Sequence, residues 1–351
     1  MTQVIAPSDT IHTRKTGGPV AALMATLLFI LGLFGLSGSA EAKTYAYVFN
    51  IGSGDVSVID TEVQEVIETV DAGLRIRWFA SRFFDGKRVW ATDADLKKAE
   101  VVVFDPWTLK TLKRIPLGKG PSFGVELTPD HRFAVAAVAG SNEVVVIDAR
   151  TYEIVRRIPV GEFPCDITLS LDGRLAFEVD RDQDTLSVID WQAGNTLETI
   201  SLAGGKKPHM LTLSPDGRRL WVQERETSKV SVFDAQTYER VARLSSGKGP
   251  ATTEFAPSRR YAITTHIDDQ VVKIFETDTY REVKTLEVGQ NPVNSAFRPD
   301  GRYVYVTNKA SNTVSIIDTE RWEVVKTLEV GKTPWGIYLF DSTAGAMAGN
   351  R

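Results

Sequence analysis

The chain of 351 residues has one cysteine, Cys165, so no internal disulfide can form. Its charge has no dominant sign: 41 basic against 45 acidic side chains leave a formal net charge of −4. That balance gives no basic footprint, and no nucleic-acid partner is expected. A composition of 42% hydrophobic, 9% aromatic and 25% charged residues excludes a disordered chain. The 27 glycines and 15 prolines are too few for a collagen-like or low-complexity one. Local signatures of chemistry are missing too: no C-x-x-C-H haem attachment, no glycine-rich phosphate loop and no G-x-S-x-G elbow. Residues 43–340 carry no 3.6-residue apolar period, which excludes amphipathic helices.

Long apolar runs are equally scarce. The one present covers residues 19–36, follows Arg14 and Lys15, and gives way to small residues ending in Ala40-Glu41-Ala42. A basic flank, an apolar stretch and an A-x-A triplet read as a secretory signal peptide over residues 1–42. Arg14-Lys15 is at most a weak variant of a twin-arginine signal. The alternative is an uncut membrane anchor, but the run is near the lower length limit for spanning and contains Gly and Pro. The expectation is therefore a periplasmic or secreted protein with no stable membrane insertion after cleavage. Residues 342–351 read as a flexible tail.

What is abundant is repetition. An acidic residue closes an alternating apolar run at Asp60, Asp105, Asp148, Asp190, Asp234, Glu276 and Asp318, at spacings of 45, 43, 42, 44, 42 and 42. A glycine followed three residues later by proline recurs at Gly118, Gly161, Gly205, Gly247, Gly289 and Gly331; at Gly73 the proline is replaced by Ile76. The turn Pro215-Asp216-Gly217-Arg218 recurs at residues 299–302 and, degenerate, in other repeats. Each repeat holds four short runs rich in Val, Ile, Tyr and Thr; in one unit these are residues 293–297, 303–307, 313–317 and 324–328. Four antiparallel strands every ~40–45 residues make a β-propeller blade. The predicted fold is all-β: a seven-bladed propeller over residues 43–341. One blade is completed by an N-terminal strand at 45–49 and a C-terminal strand at 335–340, which protects the sheet edges.

Tyr305-Val306-Thr307-Asn308, residues 314–318 and Val330-Gly331-Lys332-Thr333-Pro334 resemble the YVTN family of β-propeller repeats. The resemblance covers about residues 43–340. It implies the fold and says little about activity. The chain is similar to the d1-haem-binding propeller of nitrite reductase, and to lactonase-like propellers, only at the level of the repeat. No long insertion that would cover a haem d1 is present, so that ligand is not carried over.

The expected geometry places candidate residues. First strands start after the Gly-x-x-Pro corner, and second strands end at the Asn of the YVTN motif, so both ends ring one mouth of the channel. The residue after proline is Arg77, Ser122, Cys165, His209, Ala251, Val293 or Trp335. The next is Trp78, Phe123, Asp166, Met210, Thr252, Asn294 or Gly336, and the Asn position holds Asn50, Asp93, Val138, Asp180, Glu224, His266 or Asn308. These positions vary while the scaffold repeats, as in a specific binding surface or in freely drifting loop ends. Asp166, Asp180, His209, Glu224 and His266 come from neighbouring blades and offer a carboxylate–imidazole set for a divalent metal, or else solvated rim groups. Arg75 and Arg77 flank the one corner without proline, and Trp78 and Phe79 follow; Arg77 and Trp78 with Trp335 make either a wall for an anionic or planar ligand or inter-blade packing covered by arginine. Asn294 lies on the same face. Cys165 is a nucleophile only if His209 serves as its base; otherwise it is a buried thiol. His131 reads as a surface turn residue. The repeated Asp60, Asp148, Asp190, Asp234 and Asp318 read as turn-formers, since Asp side chains bond nearby backbone amides.

Two functions compete. One is an exported binding or scaffold propeller, accessory to a redox enzyme or cofactor system, that takes a protein partner or small ligand at the channel mouth. The other is a propeller enzyme, lactonase-like or an oxidoreductase subunit, with a metal or cofactor there. Convergence of His209 and His266 with Asp180 or Glu224 would favour the second.

Overall fold

The computed structural model describes residues 43–84, 87–93 and 95–341, without the side chains of 77–84 and 341. The expected signal peptide at 1–42 and tail at 342–351 lie outside the described residues. Within them every regular element is a strand: 28 strands form seven four-stranded sheets. Each inner strand contacts the inner strand of the next blade, and the last contacts the first, so the sheets close into a ring. Blade I is built from both ends of the propeller. Pro334–Asp341 is its inner strand, followed outward by Thr44–Asn50, Asp55–Asp60 and Glu65–Val70. Tyr47 stands opposite Tyr338 on one side and Val58 on the other. The remaining inner strands are Ile76–Phe84, Ser122–Leu127, Pro164–Leu169, Pro208–Leu213, Pro250–Phe255 and Pro292–Phe297, in blades II to VII.

The repeated sequence markers have repeated jobs. Among the described residues the inner three strands of a blade are mostly buried on both faces, as in Tyr303–Asn308 and Thr313–Asp318, because blades stack face to face; outer strands such as Glu65–Val70 alternate toward solvent. The acidic residue after each third strand shapes the following turn. Asp148 Oδ1 accepts the amides of Arg150 and Thr151, Asp234 those of Gln236 and Thr237, and Asp318 those of Glu320 and Arg321. The YVTN motif resolves letter by letter. Tyr305 is buried between blades VII and I, with its hydroxyl on the Thr61 carbonyl. Val306 packs against blade VI. Thr307 Oγ1 donates across the blade boundary to the Trp335 carbonyl at 2.9 Å; Thr92 does the same to Phe123 at 3.0 Å and Thr265 to Val293 at 3.4 Å. The motif's threonine is thus a latch between consecutive blades, where an otherwise unpaired strand-edge carbonyl needs a donor.

Blade III departs from the sequence alignment by one residue. Ser122, not Pro121, stands opposite Val138, as Pro164 stands opposite Asp180. Phe123 therefore takes the place that Cys165 takes in blade IV, and Gly124 the place of Asp166. The corner before it contains two extra-flexible positions, Gly118 and Gly120, both at positive φ, which absorb the shift.

Candidate functional site

The residues at the Asn position lie in the blade corners, and their side chains point into their own blade. Asn308 Nδ2 donates to Thr313 Oγ1 and Ser315 Oγ at 3.0 and 2.9 Å, and Asn50 Nδ2 to Asp55 Oδ1 and Ser57 Oγ at 2.7 and 3.0 Å. Asp180 Oδ2 accepts from Thr185 and Ser187, both at 2.8 Å. Glu224 accepts from Ser231, Thr227 and Arg243. His266 uses both ring nitrogens, one with Ser246 and Thr264 and the other with the Val271 carbonyl. All five are buried. The glycine of Gly-x-x-Pro follows from this: a Cβ on Gly205 would come within 2.7 Å of the Glu224 carboxyl, and one on Gly247 within 2.8 Å of the His266 ring. In these five blades different side chains thus solve one hydrogen-bonding problem; Val138 in blade III is apolar core instead, and Asp93 in blade II pairs with Arg114 at 2.8 Å. Burial pushes His266 down to about 4, against the weaker pull of its bond to Val271, so its imidazole is neutral.

The corner face of the channel carries a different set. Trp335 of blade I packs against the apolar cluster of blades III to V, which contains Phe123, Cys165 and Met210. It also packs against Ala251, Ile267 and Val293 of blades VI and VII. A side chain that meets blades on the far side of the ring crosses the opening. His209 stands edge-on to Phe123 with centroids 5.7 Å apart. Two cations lie on aromatic rings at this mouth: Arg181 over Phe163 at 3.6 Å and Lys309 over Trp335 at 4.7 Å. Arg181 also pairs with Asp182 at 2.9 Å on the rim. Cys165 is fully buried, and desolvation raises its thiol well above the ordinary range, which disfavours the thiolate a nucleophile needs. Arg77 and Trp78 sit on the inner strand of blade II, but their side chains lie outside the described residues.

Deeper along the axis is a chamber of about 460 Å³. It runs from Asp166, Met210, Thr252 and Asn294 toward the opposite face, where Leu171, Pro215 and Pro299 line its rim. Asp166 Oδ2 accepts the Leu211 amide of the next blade at 3.1 Å. Burial, partly offset by amide hydrogen bonds and reinforced by the Glu126 charge, raises Asp166 to about 7. Burial alone raises Glu254 to about 8.

The expected residues therefore divide. His209 and Trp335 meet at the mouth. Asp166 and Asn294 line the chamber. Asp180, Glu224 and His266 are held in separate blade corners. Among the described residues no group of three or more His, Cys, Asp or Glu side chains could hold a metal ion. His131 is an exposed turn residue. Sequence reasoning missed Phe163, Arg181, Lys309 and Glu254. Arg181 and Lys309 each directly follow the Asn position, and Glu254 is a lone acid inside an inner strand; those were the available signals.

Solved structures confirm the architecture at low identity. The periplasmic gluconolactonase PpgL of Pseudomonas aeruginosa is 18% identical, covering 85% of this chain and 98% of that one, with a TM-score of 0.69. Hydrazine synthase of Kuenenia stuttgartiensis is 19% identical over 77% of this chain and 97% of that one, with a TM-score of 0.66. The dihydro-heme d1 dehydrogenase NirN, solved in complex with DHE, is 17% identical over 86% of this chain and 75% of that one, with a TM-score of 0.63. No curated protein sequence matches. The sequence profile of the Cytochrome D1 heme domain matches residues 127–341, more than half of the chain. The chain belongs to the Cytochrome D1 heme domain family.

Proposed function

We infer that the protein is an exported binding propeller, accessory to a haem or redox system, whose ligand is an anionic planar tetrapyrrole held at the corner-face mouth. The observation that carries this reading is the donor set there: His209 beside Phe123, and cations seated on Phe163 and Trp335. Flat rings match a macrocycle's face, Arg181 and Lys309 match its acid side chains, and an imidazole is a ligand for haem iron. The chamber beneath does not match, because its described lining holds carboxyls and no lysine, arginine or histidine to pair with those acid side chains. A haem bound at the mouth would supply redox chemistry; the protein's part is to seat it, orient it and keep it out of the acidic interior. The family membership and the export signal support the same reading, with the periplasm as its place of action.

Titration of the protein with iron protoporphyrin IX, followed by the Soret band, tests this. Binding with a shifted Soret band is expected. His209→Ala should change the ligation spectrum, and Arg181→Ala with Lys309→Ala should weaken binding about tenfold, or about 1.4 kcal/mol. No Soret shift, or an unchanged spectrum in His209→Ala, would overturn the assignment.

A further inference from the structure

The chamber is a second, chemically opposite environment in the same channel. Glu254 of blade VI lines it, and among the described residues no hydrogen bond to its carboxyl offsets its burial. Asp166 of blade IV lines its inner end and has amide donors only, Leu211 of the next blade at 3.1 Å and Ile167. Ser295 of blade VII is 4% exposed, lines the same space, and its Oγ has no hydrogen-bond partner among the described residues. A buried hydroxyl with neither donor nor acceptor satisfied costs free energy unless something in the space beside it completes the set. Thr212, Thr252 and Asn294 add further polar atoms to the wall. Other titratable groups facing the space are Glu126 and Tyr338; no lysine, arginine or histidine is among the described lining.

The two carboxyls stand on different blades and at different depths. They do not close on one point, consistent with the lack of any three-residue metal group among the described residues. A single ion would leave one of them unpaired. A volume of about 460 Å³ suits a small molecule. We propose that the chamber binds a short aliphatic diammonium compound end to end, one ammonium on Glu254 and the other on Asp166, entering from the face opposite the mouth. Each ammonium brings three donors, so hydroxyl oxygens such as Ser295 Oγ complete its shell. Both carboxyls hold their protons into the neutral range, so the arriving cation displaces protons to solvent. This site is independent of the haem reading, since it uses none of the mouth residues.

Isothermal titration of the whole protein with putrescine at pH 7.5, in two buffers of different ionisation enthalpy, tests the proposal. One-to-one binding with proton release is expected. Glu254→Gln and Asp166→Asn should each weaken binding at least tenfold. The exposed Glu153→Gln should leave it unchanged. Neither chamber variant should lower the melting temperature, because each removes a group that resists ionisation in the fold; a thermal melt checks this. Absence of binding at millimolar putrescine, equal affinity for n-butylamine, or unchanged affinity in both chamber variants overturns it. Calcium bound in place of putrescine overturns it as well. Failure of haem binding leaves this result untouched, and the reverse also holds.

Discussion

Glu178→Gln should make the protein more stable, and increasingly so as pH rises. Glu178 is fully buried on the second strand of blade IV, where blades I, V and VII carry Val48, Val222 and Val306. Neither of its oxygens has a well-formed hydrogen bond, and neither does Oδ1 of nearby Asp180. Burial, then the Asp180 charge and a hydrogen bond to Asp180, push the Glu178 carboxyl well above its ordinary range; the Cys165 amide works the other way. The folded protein therefore keeps a proton that the unfolded chain releases. That contribution is fully present below the ordinary carboxyl value and is lost as pH climbs toward the folded value, at about 1.4 kcal/mol per pH unit. Glutamine keeps the shape, offers an N–H to Asp180 Oδ1 and has no proton to take up. Urea unfolding of both proteins at pH 5.5 and 6.5 reads the difference directly. Glu254 titrates in both proteins and cancels, and the Asp166 charge pushes Glu178 further in the same direction. The stability advantage of Glu178→Gln should grow from pH 5.5 to pH 6.5. An advantage that is the same at both pH values would mean that Glu178 is ionised in the fold, and would refute the reasoning.

Acid should act on blade VI in the opposite direction. His266 is held near 4 in the fold, so its contribution is present above about 6.5 and lost as pH falls toward 4, up to about 3 kcal/mol; His266→Asn, the residue of blades I and VII, should flatten the acid limb of a pH–stability curve, and superimposable limbs would count against it. Gly247→Ala drives a Cβ to 2.8 Å from the His266 ring, and overpacking of this kind costs about 1–3 kcal/mol, visible as a melting temperature several degrees lower. Thr307→Val removes the latch to the Trp335 carbonyl and should cost about 1–3 kcal/mol in urea unfolding, since a buried acceptor is left unmet; an unchanged midpoint would remove the latch from the argument. Cys165 should be inert to an aromatic disulfide reagent in the folded protein and react at once after unfolding, because it is buried and its thiolate is disfavoured.

The fold was legible because every blade poses the same local problem. An acidic residue must shape the turn at the end of the third strand, a Gly must make room for the corner side chain in five of the blades, and the strands must present apolar faces to two neighbours. Such demands repeat at ~43-residue intervals and survive loss of any one marker, as at Ile76. The strands at 293–297, 303–307, 313–317 and 324–328 came out as Pro292–Phe297, Tyr303–Asn308, Thr313–Asp318 and Glu323–Glu329. The candidate site was only partly legible, for two physical reasons. Variation at Asp180, Glu224 and His266 looks like a grafted surface, yet each side chain completes its own corner. And counting from Pro121 puts Ser122 where the register puts Phe123, because a one-residue bulge before an inner strand leaves no trace in composition.

The strand that closes the ring is also the one that divides the channel. Pro334–Asp341 pairs with Thr44–Asn50 and so holds the two ends of the propeller together. The same strand sends Trp335 across the corner-face opening and Tyr338 into the wall of the chamber below. Above the indole lie Lys309 and the Arg181–Phe163 pair; below it lie Asp166 and Glu254. The two sides of one aromatic plate offer partners of opposite kind: an anion meets Lys309 and Arg181 at the mouth, and a cation meets the carboxyls of Asp166 and Glu254 in the interior and displaces their protons. Blade closure and ligand discrimination therefore depend on one segment, and Trp335→Ala should blur the separation without opening the ring, because the register with Thr44–Asn50 is carried by backbone bonds and the Tyr47–Phe340 ring contact, none of which uses the indole.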